Sequence, residues 1–138
     1  MASMVMNGQA NWADVGVLVT GPTGVVGSWL CKTLLASGAR VVTFIRDADP
    51  QSELLRSGDL SKTTVAHGSL EDFAAVERAV NEHEVEFVFH LGAQAIVETA
   101  FRSPLPTFEA NIRGTYHVLE ACKRHADRVR GVVIASSD

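Results

Sequence analysis

A short apolar, β-branched run over residues 15–20 leads into Gly21-Pro22-Thr23-Gly24-Val25-Val26-Gly27, and an apolar helical pattern begins at once. Strand, glycine turn and helix in that order leave few folds open. Gly21 permits the tight turn. Gly24 lets backbone N–H groups approach a pyrophosphate, and Gly27 lets the helix pack closely on the sheet. The first turn of that helix would present unpaired N–H groups and the positive end of its dipole to phosphates. Over 25–37, Val26, Leu30, Leu34 and Leu35 share one helical face, and Gly38 stands where a C′ glycine would.

The same alternation continues. Strands are predicted over 40–45, 63–66, 85–91 and 131–135, and a short helix over 51–57 is closed by Gly58. A helix over 69–82 is capped by Ser69, with Asp72 as a weaker capping box, and buries Leu70, Phe73, Val76 and Val80. Ser103 caps a long helix with Pro104 at its first position. Leu105, Phe108, Ile112, Tyr116 and Leu119 mark its expected buried face. Strands alternating with helices imply right-handed crossovers and an α/β fold, a Rossmann-like doubly wound parallel sheet with five strands present. Ligands bind such a sheet at the carboxyl ends of its strands, here between the first and fourth. Residues 1–14 read as a flexible leader anchored only by Trp12, and 15–138 as one domain.

Composition removes other classes. With 12 Lys+Arg against 16 Asp+Glu the net charge is −4, and no basic run offers a footprint for nucleic acid or an anionic membrane. No apolar run approaches the roughly 20 residues of a membrane span. Cys31 and Cys122 are too few for a disulfide framework, and no Cys or His pair has zinc-ligand spacing. No metal site is expected, and a reducing, cytoplasmic setting is.

The spacing G-x-x-G-x-x-G resembles the short-chain dehydrogenase/reductase superfamily, and further segments resemble its extended branch, the nucleotide-sugar epimerases and 4,6-dehydratases. Phe89-His90-Leu91-Gly92-Ala93-Gln94 resembles that branch's H-L-A-A-Q, and Asn111-Ile112-Arg113-Gly114-Thr115 its N-V-x-G-T. Gly27-Ser28-Trp29-Leu30, with Trp12 ahead of the first strand, is most similar to the CDP-glucose 4,6-dehydratase type. The resemblance covers residues 12–138.

It implies NAD(P) as cofactor, contacted by Gly21, Thr23, Gly24, Val25, Val26, Gly27, Arg46, Asp47, Ser69, Leu70, Leu91, Gly92, Ala93, Gln94 and Asn111. Arg46 falls where GDP-mannose 4,6-dehydratases hold the 2′-phosphate of NADP, and Asp47 where CDP-glucose 4,6-dehydratases hold ribose hydroxyls. The balance leans to NADP. Ser69 replaces the aspartate that usually meets the adenine amino group, and a hydroxyl accepts more weakly. Asn111, a poor mid-helix residue, suggests an amide that holds backbone near the site. His90 reads as a packed strand histidine rather than a catalyst.

The last residues, Ala135-Ser136-Ser137-Asp138, resemble the dehydratases' S-T-D-E. By position, Ser137 would meet the sugar 4-hydroxyl, and Asp138 would protonate the leaving 6-hydroxyl. The implied reaction is internal redox on a nucleoside-diphosphate hexose: oxidation at C4, loss of water across C5 and C6, and reduction at C6. The family's Tyr-x-x-x-Lys base lies beyond residue 138, and Tyr116, with Glu120 four residues on, is no substitute. The chain therefore reads as the cofactor part of a longer enzyme, itself inactive, with a homodimer expected of the full-length protein. A 4-epimerase or reductase of the same branch, or a non-catalytic NAD(P)-binding module, are the alternatives.

Overall fold

The computed structural model describes residues 5–6 and 9–137. Strands β1 (Val5–Met6) and β2 (Gln9–Ala10) form a two-residue antiparallel pairing. The other described strands form one parallel sheet: β3 (Gly16–Thr20), β4 (Arg40–Ile45), β5 (Thr64–His67), β6 (Phe87–His90) and β7 (Gly131–Ile134). Their order is β5-β4-β3-β6-β7. The chain builds outward from β3 to β5, then returns to lay β6 and β7 on the other side of β3. Thr20 pairs with Phe44 and with His90, and His90 with Ile134, so the carboxyl ends are level across the switch point.

The sheet is apolar on both faces, as a parallel sheet covered on both sides must be. Leu18, Val42, Phe44 and Val88 pack under α3 (Phe73–Glu82) and α6 (Gly114–Arg124). Val17, Val19 and Val41 pack under α1 (Val25–Ala36) and α2 (Glu53–Arg56). Each such buried side chain contributes roughly 1.5–3 kcal/mol. Lys32 on α1 reaches Glu53 (2.8 Å) and Asp59 (3.6 Å), tying α1 to α2 and to the 3-10 turn Asp59–Lys62.

Several helix details differ from the sequence expectation. On α1 the inward face is Gly27, Ser28, Cys31 and Leu34, small enough to lie close to the sheet, and Val26 is 68% exposed. The helix expected over 69–82 starts at Phe73, because Asp72 rather than Ser69 is its cap: the Asp72 carboxylate accepts from Ala75 N–H at 3.3 Å. Residues 69–72 form a turn instead, closed by Asp72 N–H donating to the Ser69 carbonyl. The long helix is three pieces, α5 (Pro104–Phe108), a π turn (Glu109–Arg113) and α6, preceded by an unforeseen α4 (Val97–Arg102). Ser103 makes no capping bond.

The largest correction concerns which side of that helix is buried. Leu105, Phe108, Ile112, Tyr116 and Leu119 are between 46% and 66% exposed, while Gly114, Val118, Ala121 and Cys122 face the core. Small residues on α6 meet Ala75 and Ala79 on α3, which lets the two helix backbones approach. The helix is apolar on two sides, and periodicity alone selects the side with the larger residues. Val133 on edge strand β7 is also half exposed.

Ahead of β3, Trp12 packs edge-on against Phe87, ring centroids 5.3 Å apart, and lies 5.9 Å from Phe89. It covers the part of β6 that α1 and α2 do not reach. Truncating Trp12 to Ala should cost about 1.5–3 kcal/mol through lost aromatic burial. Urea unfolding should show a lower midpoint with an unchanged slope.

Candidate functional site

At the carboxyl ends of the strands lies an open cleft of about 700 Å³, within the range that holds small-molecule ligands. Three segments build it: the glycine turn after β3, the ends of β4 and β5, and the loop after β6. Of the residues singled out from the sequence, Gly21, Thr23, Gly24, Arg46, Asp47, Ser69, Leu70, Leu91, Gly92, Ala93 and Gln94 line it. Val25, Val26 and Gly27 do not. The side chains of Val25 and Val26 are exposed. Ser137 is exposed at the end of β7 and outside the cleft lining, and Asp138 lies outside the described residues.

The glycine turn is held by steric necessity. Gly21 has φ +68°, a left-handed conformation that side chains resist, and a Cβ there would lie 2.8 Å from Leu91 and Gly92 backbone atoms. A Cβ on Gly27 would collide with the Gly21 carbonyl and reach Pro22 Cα at 2.9 Å. By contrast, a Cβ on Gly24 would meet only the Gly21 carbonyl, at 3.5 Å, and would otherwise occupy open space. Gly24 caps α1 without a side-chain bond, and no acidic residue stands in the first turn. The positive end of a twelve-residue helix therefore opens onto a bare backbone cradle, which fits a pyrophosphate. Ser28, buried behind the turn, donates to the Pro22 carbonyl at 3.0 Å.

A residue the sequence analysis passed over, Thr20, joins this turn to the loop after β6. Its Oγ1 accepts from Leu91 N–H (3.1 Å) and Gly92 N–H (3.0 Å) and lies 2.6 Å from His90 Nδ1. With both acceptor sites used, the hydroxyl hydrogen goes to Nδ1, which must be unprotonated. His90 Nε2 then donates to Thr115 Oγ1 at 3.2 Å, and Thr115 donates to the Asn111 carbonyl at 2.6 Å. The signal available in the sequence was a hydroxyl residue at the last position of a strand feeding a glycine turn.

Asn111 sits in the π turn, a widening that often marks functional sites. Its amide grips the loop from both sides: Oδ1 accepts from Gln94 N–H at 2.7 Å, and Nδ2 donates to the Gln94 carbonyl at 3.1 Å. Asn111 is thus outside the cleft lining and holds a residue that is within it. Leu70 wedges the site from below. A Cβ on Gly92 would lie 2.9 Å from Leu70 Cδ1, and one on Gly114 2.9 Å from Leu70 Cβ. The Leu70 carbonyl accepts from His117 Nδ1 at 2.8 Å. At the outer end, Arg46 Nε pairs with Asp47 at 2.7 Å, both exposed. No described group of three or more His, Cys, Asp or Glu residues could hold a metal.

His90 is 3% exposed, and burial lowers its pKa below the ordinary 6.5. The unfolded chain then binds a proton that the folded one refuses, so stability is full above about pH 6.5 and declines as pH falls below it. His90→Gln should flatten that decline. Urea unfolding of both proteins across pH 5–8 measures it, and identical pH slopes would contradict the lowered pKa of His90.

The family profile described as GDP-mannose 4,6 dehydratase matches residues 18–138. The chain is 35% identical to CDP-glucose 4,6-dehydratase of Salmonella typhimurium over 130 residues, covering 92% of this chain and 35% of that protein. Among solved structures, UDP-glucose 4-epimerase of Thermotoga maritima with UDP-glucose superposes with a TM-score of 0.77 at 28% identity, over 89% of this chain and 38% of that one. UDP-glucose 4-epimerase of Thermus thermophilus, in complex with NAD, superposes with a TM-score of 0.71 at 33% identity, over 81% and 35%. The chain spans little more than a third of the length of each. No described helix is long and apolar enough to cross a membrane. With the glycine cradle, the 3-2-1-4-5 order of the parallel strands and the family profile in agreement, the chain belongs to the GDP-mannose 4,6-dehydratase family of extended short-chain dehydrogenase/reductases.

Proposed function

We propose that the chain is the NAD(P)-binding part of a nucleotide-sugar 4,6-dehydratase, with residues 15–138 forming one domain of a longer cytoplasmic protein. The observation that carries this is the uncapped N-terminus of α1 opening, through Gly24, onto a cleft large enough for a dinucleotide. The bound dinucleotide would supply reversible two-electron chemistry at a sugar carbon. The N–H groups of the first turn bind the pyrophosphate. Arg46 and Asp47, at the end of β4, meet the adenosine ribose. Leu91, Gly92, Ala93 and Gln94 border the nicotinamide ribose, and Asn111 keeps Gln94 in place. In this reading Ser137 orients the sugar 4-hydroxyl and Asp138 gives its proton to the leaving 6-hydroxyl. The similarity to CDP-glucose 4,6-dehydratase over nearly the whole chain supports this. A 4-epimerase is the second reading, favoured by the superposing UDP-glucose 4-epimerases. The exposed face of Leu105, Phe108, Ile112, Tyr116 and Leu119 is the surface we assign to a homodimer of the longer protein.

For cofactor choice we favour NADP. Asp47 occupies Arg46 Nε, and the two outer guanidinium nitrogens have no partner among the described residues, leaving a fork for a 2′-phosphate. Titration of NAD and NADP tests both assignments. Gly24→Val should abolish binding of either while circular dichroism stays native. Arg46→Ala should weaken NADP by about 1.5–3 kcal/mol and barely affect NAD. Equal loss for both cofactors would transfer the ribose assignment to Asp47.

The reaction itself is tested on the longer protein with CDP-glucose and GDP-mannose. Release of a 4-keto-6-deoxy sugar nucleotide is expected, and Asp138→Asn should lower its kcat by roughly 10²–10⁴-fold, the scale of general acid catalysis. A 4-epimer product would favour the second reading.

A further inference from the structure

Resting on the dinucleotide reading, we infer that Glu71 selects the base of the cofactor: its carboxylate accepts a hydrogen bond from the 6-amino group of adenine and turns away purines with a 6-oxo group. The cleft has a direction. Phosphates belong at the start of α1, in its middle, and the adenosine ribose at the end of β4. The base then lies one strand further out, against the turn that follows β5. That turn is Gly68-Ser69-Leu70-Glu71, all of it lining the cleft, and Gly68 N–H donates to the Ile45 carbonyl at 3.1 Å to join it to the end of β4.

Two backbone acceptors of this turn are already engaged. The Ser69 carbonyl takes Asp72 N–H at 3.0 Å, and the Leu70 carbonyl takes His117 Nδ1 at 2.8 Å. The Ser69 hydroxyl is not capping α3, since Asp72 does so. It donates to Glu71 Oε2, and in doing so commits its hydrogen. An ionised carboxylate offers about four lone-pair sites. Glu71 receives the Ser69 hydroxyl, so it keeps capacity for a further donor. It is also held ionised: the Ser69 hydrogen bond, assisted by its own N–H and the nearby Arg46 charge, keeps its carboxyl below the usual carboxylate range against the opposing effect of burial. The turn cannot swing away, because Leu70 is wedged between Gly92 and Gly114.

A carboxylate in this state has no hydrogen to give. Adenine presents two N–H bonds at position 6 and matches it. Hypoxanthine presents an oxygen there, so two acceptors would face each other. The serine that weakens direct recognition at position 69 thus becomes the support that orients the carboxylate at position 71.

The experiment is calorimetric titration of the protein with NADP and nicotinamide hypoxanthine dinucleotide phosphate, repeated with the corresponding pair lacking the 2′-phosphate. The wild-type protein should bind the adenine form on the order of 10- to 100-fold more tightly, the scale of one charged hydrogen bond. Glu71→Gln keeps the shape and adds an amide that can donate to the 6-oxygen, so the ratio should collapse towards one through tighter binding of the hypoxanthine form. Glu71→Ala should also level the ratio, through weaker binding of the adenine form. Because the readout is a ratio on one sample, partial loss of active protein leaves it intact. Equal affinities in the wild-type protein, or a ratio unchanged in Glu71→Gln, would overturn the assignment of Glu71 alone. Binding of neither base form would overturn the dinucleotide reading and this inference with it.

Discussion

The contact between Gly27 on α1 and the Gly21 carbonyl sets the position of everything at the carboxyl edge of the sheet. No side chain fits between them. That closeness lets α1 begin directly behind the turn, which brings its positive end to the mouth of the cleft rather than to the protein surface. The same compactness seats Gly21 against Leu91 and Gly92, so β3 and β6 are fixed relative to each other at their ends. A helix dipole acts over about one turn, so a retreat of α1 by roughly one turn, about 5 Å, would remove most of its pull on an anion.

Around this contact the polar groups are committed in a single direction. Thr20 receives two backbone N–H groups and donates to His90; His90 donates to Thr115; Thr115 donates to the carbonyl of Asn111. The chain crosses from β3 to β6 to the π turn without a water-exposed member at its centre. A buried network of this kind is costly when one partner is lost, which gives it the power to hold a loop whose middle is only glycine, alanine and glutamine. The loop after β6 is therefore positioned from beneath by Thr20 and from the side by Asn111.

Much of this was legible in the sequence. The glycine spacing, with a strand before it and a helix after it, pointed to the turn and the fold class, and the alternation of elements to a switch point beside the strand that feeds the turn. The periodicity of 40–45 matched β4 to the residue. What misled was local preference where two residues compete. Ser69 and Asp72 are both good caps, and the choice fell to Asp72 because the Ser69 hydroxyl is engaged by Glu71 in a turn that closes before the helix starts. The long helix misled through its size: Leu105, Phe108, Ile112, Tyr116 and Leu119 form a regular stripe, yet the inner face belongs to Gly114, Val118, Ala121 and Cys122.

Neighbours along the chain are enough to set which residues can turn, which can alternate faces, and which can leave a helix end bare. Those properties belong to backbone sterics and short-range hydrogen bonding. Only the folded packing selects which of two apolar helix sides meets α3, sets Asn111 to hold Gln94 across seventeen positions, and brings the Thr20 hydroxyl to donate to His90 across seventy. These are matters of distance between segments remote in sequence, and packing density rather than residue preference sets them.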